Sequence, residues 1–137
     1  MKTILVDAIY GFVQVINNKL TGKDEYLIFQ KMYELLEKYP NKKIILTGAY
    51  DEQMVKFGLN NMPYPVFTLK HNPEKTNPEY YNVMLKNFNL NKNEVIYFEH
   101  DIDAIRSAES VGINTYYYDK DKKDLESLKE FLDENLK

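Results

Sequence analysis

A handful of acids and bases in this chain are spaced so that a fold could bring them to one place. Asp7 ends the aliphatic run Thr3-Ile4-Leu5-Val6 and is followed closely by Gly11. A short buried strand that stops on an acid delivers a carboxylate to the rim of a sheet. Thr47 repeats the pattern, with a hydroxyl beside Gly48 at the end of Lys43-Ile44-Ile45-Leu46. Lys75 sits in a stretch of loop composition, His71 to Pro78, and Glu99-His100-Asp101-Ile102-Asp103 follows another apolar run. Clustered carboxylates can hold a divalent cation. Acids just before a helix also stabilise its amino end electrostatically, which is sufficient reason for them. His100 either titrates near neutral pH and carries a proton or merely starts a helix. Taken singly, Asp7 could cap a turn, Thr47 could form one, and Lys75 and His71 are ordinary loop residues. Only a shared rim gives them joint meaning.

The elements that must supply that rim can be read from periodicity. After Gly11, Phe12 to Leu20 alternates loosely and suggests a small hairpin flap turning at Asn17-Asn18, since asparagine tolerates positive φ. Gly22 and Asp24 are expected to open a helix with Ile28, Met32, Leu35, Leu36 and Tyr39 on one face, stopped by Pro40. The strand at Lys43 leads to a helix capped by Asp51 and carrying Met54, Val55 and Leu59. Val66-Phe67-Thr68-Leu69, approached through Pro63 and Pro65, reads as a weaker strand near a sheet edge. Asn77 and Pro78 start a helix with Tyr81, Met84, Leu85 and Phe88 inward. Glu94-Val95-Ile96-Tyr97-Phe98 is a strand, and the helix after it carries Ile105, Ala108 and Val111 and stops at Gly112.

The last unit is the strand Asn114 to Tyr118, with alternate tyrosine rings facing two helix layers. Its helix has Leu125, Leu128, Leu132 and Leu136 on one stripe, started by Asp121 or Asp124. The charged segment Lys122 to Lys137 reads as a solvated face over that stripe. Five alternations of strand and helix imply parallel strands joined by crossovers. The expected fold is a three-layer, Rossmann-like α/β domain spanning residues 1–137, with a five-stranded parallel sheet and its crevice at the strand carboxyl ends.

Composition narrows the class. Of 137 residues, 44% are hydrophobic and 28% charged, ordinary for a globular chain that buries a full core. Eighteen basic and twenty-one acidic residues give a net charge of −3 without a basic block, which argues against a nucleic-acid partner. The chain has no cysteine, so it has no disulfide or thiolate metal site. No apolar run is long enough for a membrane span, and the run after Met1-Lys2-Thr3 is too short for a signal-peptide core, so a cytoplasmic protein is expected. The twelve tyrosines are expected mainly in core packing.

Together, Val6-Asp7, Leu46-Thr47, the Lys75 to Glu79 loop and helix start, and Val95 to Ile113 resemble the haloacid dehalogenase-like (HAD) superfamily, most of whose members are phosphatases. The resemblance covers nearly the whole chain and implies no separate cap domain, since neither usual insertion point has room for more than a hairpin or loop. It implies Asp7 as the carboxylate nucleophile on phosphorus. It also implies Thr47 and Lys75 as the partners that bind and neutralise the phosphoryl group. Mg²⁺ would be held by Asp7, the carbonyl of Ile9 and an acid among Glu99, Asp101 and Asp103. The implied ligand is a small phosphorylated molecule.

The departures are specific. The family phosphatases' second Asp, which protonates the leaving oxygen, is replaced by Ile9. General acid catalysis contributes about 10² to 10⁴ in rate, so hydrolysis of alkyl phosphates is expected to be crippled. The family's next Gly-Thr is Tyr10-Gly11, its later Gly-Asp is Glu99-His100, and its last Asp is Ala104; a one-residue shift would bring in Asp101 or Asp103 instead. Dehalogenases of the superfamily also lack the second Asp, but no basic group here suits a halide. Three readings follow: a degenerate member with weak or absent phosphatase activity that keeps a Mg²⁺ or phosphate site, a working enzyme on acyl or aryl phosphates, and a non-catalytic binding or scaffold protein.

Overall fold

Three short runs with aliphatic or aromatic centres form the middle of the sheet. β1 (Thr3–Asp7), β4 (Lys43–Thr47) and β6 (Val95–Glu99) are buried from end to end. Continuous burial is what a parallel strand covered on both faces requires. The computed structural model describes residues 1–136, so Lys137, the end of the charged segment noted above, lies outside the described residues.

With the edge strands β5 (Val66–Thr68) and β7 (Asn114–Tyr117), these strands form one five-stranded sheet in the order β5-β4-β1-β6-β7, every pairing parallel. This is the expected α/β fold. Helices α1 (Gln30–Glu37) and α5 (Leu125–Asn135) place Met32, Leu35, Leu36, Leu128 and Leu132 against Ile4, Val6, Ile96 and Phe98. The opposite face carries α3 (Pro78–Asn87) and α4 (Ile102–Ser110), where Tyr80, Tyr81, Met84 and Ala108 meet Leu5, Leu46 and Tyr97. A short helix α2 (Asp51–Lys56) follows β4. Burying each large aliphatic side chain stabilises the fold by about 1.5–3 kcal/mol, so these two layers fix the sheet.

The sheet order places the chemistry. From β1 the chain builds outward through β4 to β5, then returns to the other side of β1 as β6, so strand order reverses beside β1. In open α/β sheets that reversal opens a crevice at the carboxyl ends. Val6 is in register with Phe98, so the next residues, Asp7 and Glu99, leave the sheet side by side.

Four local expectations are corrected. The hairpin turns later than Asn17-Asn18: β2 (Val13–Asn18) pairs antiparallel with β3 (Lys23–Ile28), and Gly22, at φ 70°, donates its N–H to the Asn18 carbonyl at 2.7 Å. The helix expected from Gly22 or Asp24 starts only at Gln30, because Tyr26 and Ile28 face the core while Glu25 and Leu27 are exposed, a period of two. At α2 the cap is Tyr50, whose N–H donates to Gln53 Oε1, and Asp51 is the first helical residue. Tyr116 and Tyr118 both pack with the α1/α5 layer, whereas Tyr117 stands 49% exposed at the sheet edge instead of facing a second layer.

Candidate functional site

Asp7 and Glu99 are both fully buried, at 0% exposure. Two carboxylates emerging from adjacent strands into an apolar interior repel each other, and burial of an unpaired charge is costly, so the fold must supply cations. The loop between β5 and α3 supplies the first. Asn77 and Pro78 start α3, with the Asn77 side chain accepting from the Glu79 N–H, and this anchors the loop so that Lys75 reaches back over the rim. Its Nζ donates to Asp7 Oδ1 at 3.0 Å, to Glu99 Oε1 at 2.6 Å and to the Leu46 carbonyl at 3.3 Å.

The second cation comes from the turn after β6. Nδ1 of His100 is hydrogen-bonded to Asp7 Oδ2 and lies 3.0 Å from Glu99 Oε2. The His100 N–H also donates to both oxygens, at 3.1 and 3.0 Å, and the Asp101 N–H donates to Glu99 Oε2 at 3.1 Å. The Tyr97 hydroxyl completes the set on Glu99 Oε1. All four oxygens of the two acids therefore accept from nitrogen or hydroxyl donors within the chain.

The entry to the hairpin closes over this group. A Cβ on residue 11 would lie 2.5 Å from the Asp7 carbonyl oxygen, so Gly11 is the residue that lets the chain double back. Tyr10 sits at φ 73°, a left-handed conformation that costs a tyrosine free energy. Its ring meets the His100 ring edge-on at 5.2 Å, and the Lys120 ammonium lies 4.1 Å from its centroid. Beside the pair of acids is a cavity of about 170 Å³ lined by Asp7, Ile9, Thr47, Lys75, His71 and His100 among others. Thr47 Oγ1 accepts from the Ala49 N–H at 3.2 Å, and its carbonyl accepts from the Tyr80 hydroxyl at 2.7 Å.

No protein-family model matches the sequence, and comparison with curated proteins finds no match. Solved structures do match. An uncharacterized protein from Listeria monocytogenes serotype 4b superposes with a TM-score of 0.64 over 85% of this chain and 78% of that one, at 18% identity. A HAD family enzyme from Bacteroides thetaiotaomicron does so with a TM-score of 0.62 over 85% and 93%, at 11% identity. That enzyme is an aspartate-to-alanine mutant in complex with magnesium and inorganic phosphate. The fold is HAD-like.

Within the HAD-like fold, the residues singled out from sequence fall into two groups. Lys75 and His100 each contact both Asp7 and Glu99, with Thr47 and Ile9 on the adjoining cavity wall. Asp101 and Asp103 are not part of that group. Asp101 caps α4, its Oδ1 accepting from the N–H groups of Asp103 and Ala104 at 2.9 and 3.5 Å. Asp103 points outward with a side chain 69% exposed, 3.8 Å from Arg106. His71 also lines the cavity, but its ring is bonded to Gln53 Oε1 at 3.0 Å and lies 3.4 Å from Glu74. Sequence reading missed Tyr97, although its position two residues before Glu99 puts it on the same face of β6. It also missed Tyr10, whose left-handed backbone has no signature in the sequence.

Electrostatics follow the geometry. Burial opposes charge on Lys75, but the Asp7 and Glu99 carboxylates outweigh it and hold the ammonium well above its usual range. Burial also opposes charge on His100, but its bonds to Asp7 and Glu99 raise it to about 10, so the ring is a cation at neutral pH. Burial works against ionising Glu99 too, yet Lys75 and the His100 and Tyr97 bonds keep its carboxyl below the ordinary carboxylate range. Asp7 is pushed up by burial and by Glu99, against Lys75 and His100. Burial and Glu99 hold the Tyr97 phenol well up, so it remains a donor. Two acids thus face two bases across the rim.

Among the described residues, Asp7, Glu99 and His100 are the one group of metal-capable side chains whose donor atoms lie within 4.8 Å of one another. None of the described helices is long and apolar enough to cross a membrane.

Proposed function

We propose that this protein is a degenerate member of the HAD-like hydrolases, with weak or absent phosphatase activity. One observation carries the reading: both oxygens of the carboxylate in the nucleophile position are engaged by cations of the chain itself, Oδ1 by Lys75 and Oδ2 by His100. A nucleophile must present a lone pair to phosphorus, and bonds from Lys75 and His100 draw electron density from both Asp7 oxygens and leave fewer lone pairs free to attack. The wall next to it is Ile9, an aliphatic side chain where a proton donor for the leaving group is needed. Lys75 is already neutralised by two acids, so the rim offers a phosphate dianion little net positive charge. Phosphate as a retained ligand of this site is disfavoured by the acids that already pair with Lys75.

A second reading, hydrolysis of acyl or aryl phosphates, draws support from the cavity that keeps Thr47 and Lys75 beside Asp7. Good leaving groups need no proton donor. Incubation with acetyl phosphate and para-nitrophenyl phosphate, with and without Mg²⁺, beside an Asp7→Asn variant separates the two. The degenerate reading expects equal, background release of phosphate from both proteins. Turnover in the wild type that is abolished by Asp7→Asn overturns it in favour of the second reading.

A further inference from the structure

A magnesium ion asks for about six oxygen ligands at roughly 2.0–2.1 Å in near-octahedral array, most of them waters or carboxylates. The rim of this protein offers something else. The two carboxylates that face each other across the switch point are Asp7 and Glu99, and the space between Oδ2 of one and Oε2 of the other holds the Nδ1 edge of His100. Two backbone N–H groups, of His100 and Asp101, point at the same oxygens. On the other side the Lys75 ammonium bridges Oδ1 and Oε1. An N–H donor and a metal ion compete for the same lone pairs, so magnesium, which takes oxygen ligands, would have to displace the Nδ1 proton or the ring. The acids that could complete an oxygen shell are turned away, Asp101 as a helix cap and Asp103 to solvent.

The donor set therefore does not fit magnesium. We infer that the His100 ring is a built-in substitute for the divalent cation, so that this crevice is held together without metal. The His100 ring is itself fixed, 23% exposed and covered edge-on by Tyr10, a residue held in a left-handed conformation with Lys120 over its outer face. A ring packed in this way does not swing aside without disturbing the hairpin entry.

The inference is about binding and holds whether or not Asp7 turns over. Thermal unfolding of the full chain is followed with millimolar MgCl₂ and, separately, with NaCl at matched ionic strength. A ligand that binds only the folded state raises Tm by mass action. The wild type is expected to show no Mg²⁺-specific rise. His100→Asp, which removes the ring and adds an oxygen ligand beside Asp7 and Glu99, is expected to gain one, and Asp7→Asn in that background to lose it.

A Mg²⁺-specific rise in the wild type that disappears in Asp7→Asn overturns the inference, as does a folded His100→Asp protein that ignores Mg²⁺. Should His100→Asp not fold, the ¹⁵N signals of the wild-type imidazole decide: unchanged by Mg²⁺ if the ring holds its place, displaced if the metal enters. Metal binding without hydrolysis sinks this inference and leaves the proposed function standing. Metal-free hydrolysis lost in Asp7→Asn does the reverse.

Discussion

Glu99 and Asp103 belong to one acidic run, yet the fold treats them in opposite ways. Glu99 is the last residue of β6, sealed from water and bonded by Lys75, His100 and Tyr97. Asp103 is in the first turn of α4, with an exposed side chain and a long contact to Arg106. The difference is one of dielectric. Between exposed charges, water screens the attraction and a pair contributes about 0–1 kcal/mol. In the interior an unpaired charge is so costly that removing its partner costs about 3–5 kcal/mol, even where the pair itself adds little net stability. An acidic run in a sequence thus says where charge is, not what it does.

Removing the ammonium is the strongest way to break that contrast. Lys75→Met leaves Asp7 and Glu99 facing each other in an apolar setting and is expected to destabilise by about 3–5 kcal/mol, read from the midpoint of urea unfolding. Adding Glu99→Gln to that variant is expected to recover part of the loss, since the repulsion goes with the second charge. A Lys75→Met protein within about 0.5 kcal/mol of wild type would mean that the rim admits water and that the buried network is not one.

Smaller, and dependent on pH, is the contribution of His100. Its ring ionises near 6.5 in an unfolded chain and at about 10 in the fold. A group whose pKa rises on folding stabilises fully below the unfolded value, and that stability is lost as pH climbs through the folded one. Between pH 6.5 and 10 the wild type is therefore expected to lose more stability than His100→Gln, the difference reaching about 1.5–3 kcal/mol, the worth of a hydrogen bond to a charged group. Parallel pH profiles of the two proteins would show that the ring is not held as a cation.

The same contrast explains what could be read before any coordinates. Continuous apolar runs ending in Asp7, Thr47 and Glu99 made the parallel sheet and its polar rim legible, because full burial of a strand leaves a local signature. Pro78 after Asn77 likewise marked the start of α3. The hairpin and the start of α1 were misplaced because Lys23 to Phe29 fits both periods, and only pairing with Val13 to Asn18 decides for strand. The partner of Glu99 was not legible at all. It depends on the register that sets Val6 against Phe98, a long-range fact with no local mark, so an acid bonded to Lys75 and His100 read equally well as a metal ligand.

Asp101 marks the step between buried and exposed charge. Its carboxylate satisfies the N–H groups of Asp103 and Ala104 at the start of α4, and loss of such a cap costs about 0.5–2 kcal/mol. Asp101→Ala is expected in that range with Lys75 and His100 undisturbed, and Asp101→Asn, which keeps the acceptor, near zero. A loss equal to that of Lys75→Met would place Asp101 inside the network instead.

The smallest expected effect is at Arg106. Its guanidinium lies 3.8 Å from Asp103, both side chains are about 70% exposed, and the two are one turn apart on the same helix. Neighbouring exposed pairs on a helix contribute about 0.2–0.5 kcal/mol, part of which alanine returns through its helix propensity. Arg106→Ala is therefore expected to shift the urea midpoint barely beyond measurement error, and what shift there is should fade in high salt. A loss above about 1 kcal/mol that salt does not touch would mean that the guanidinium acts through packing of its stem on α4, and the contrast between the two ends of the acidic run would then owe less to solvent screening than to what each side chain covers.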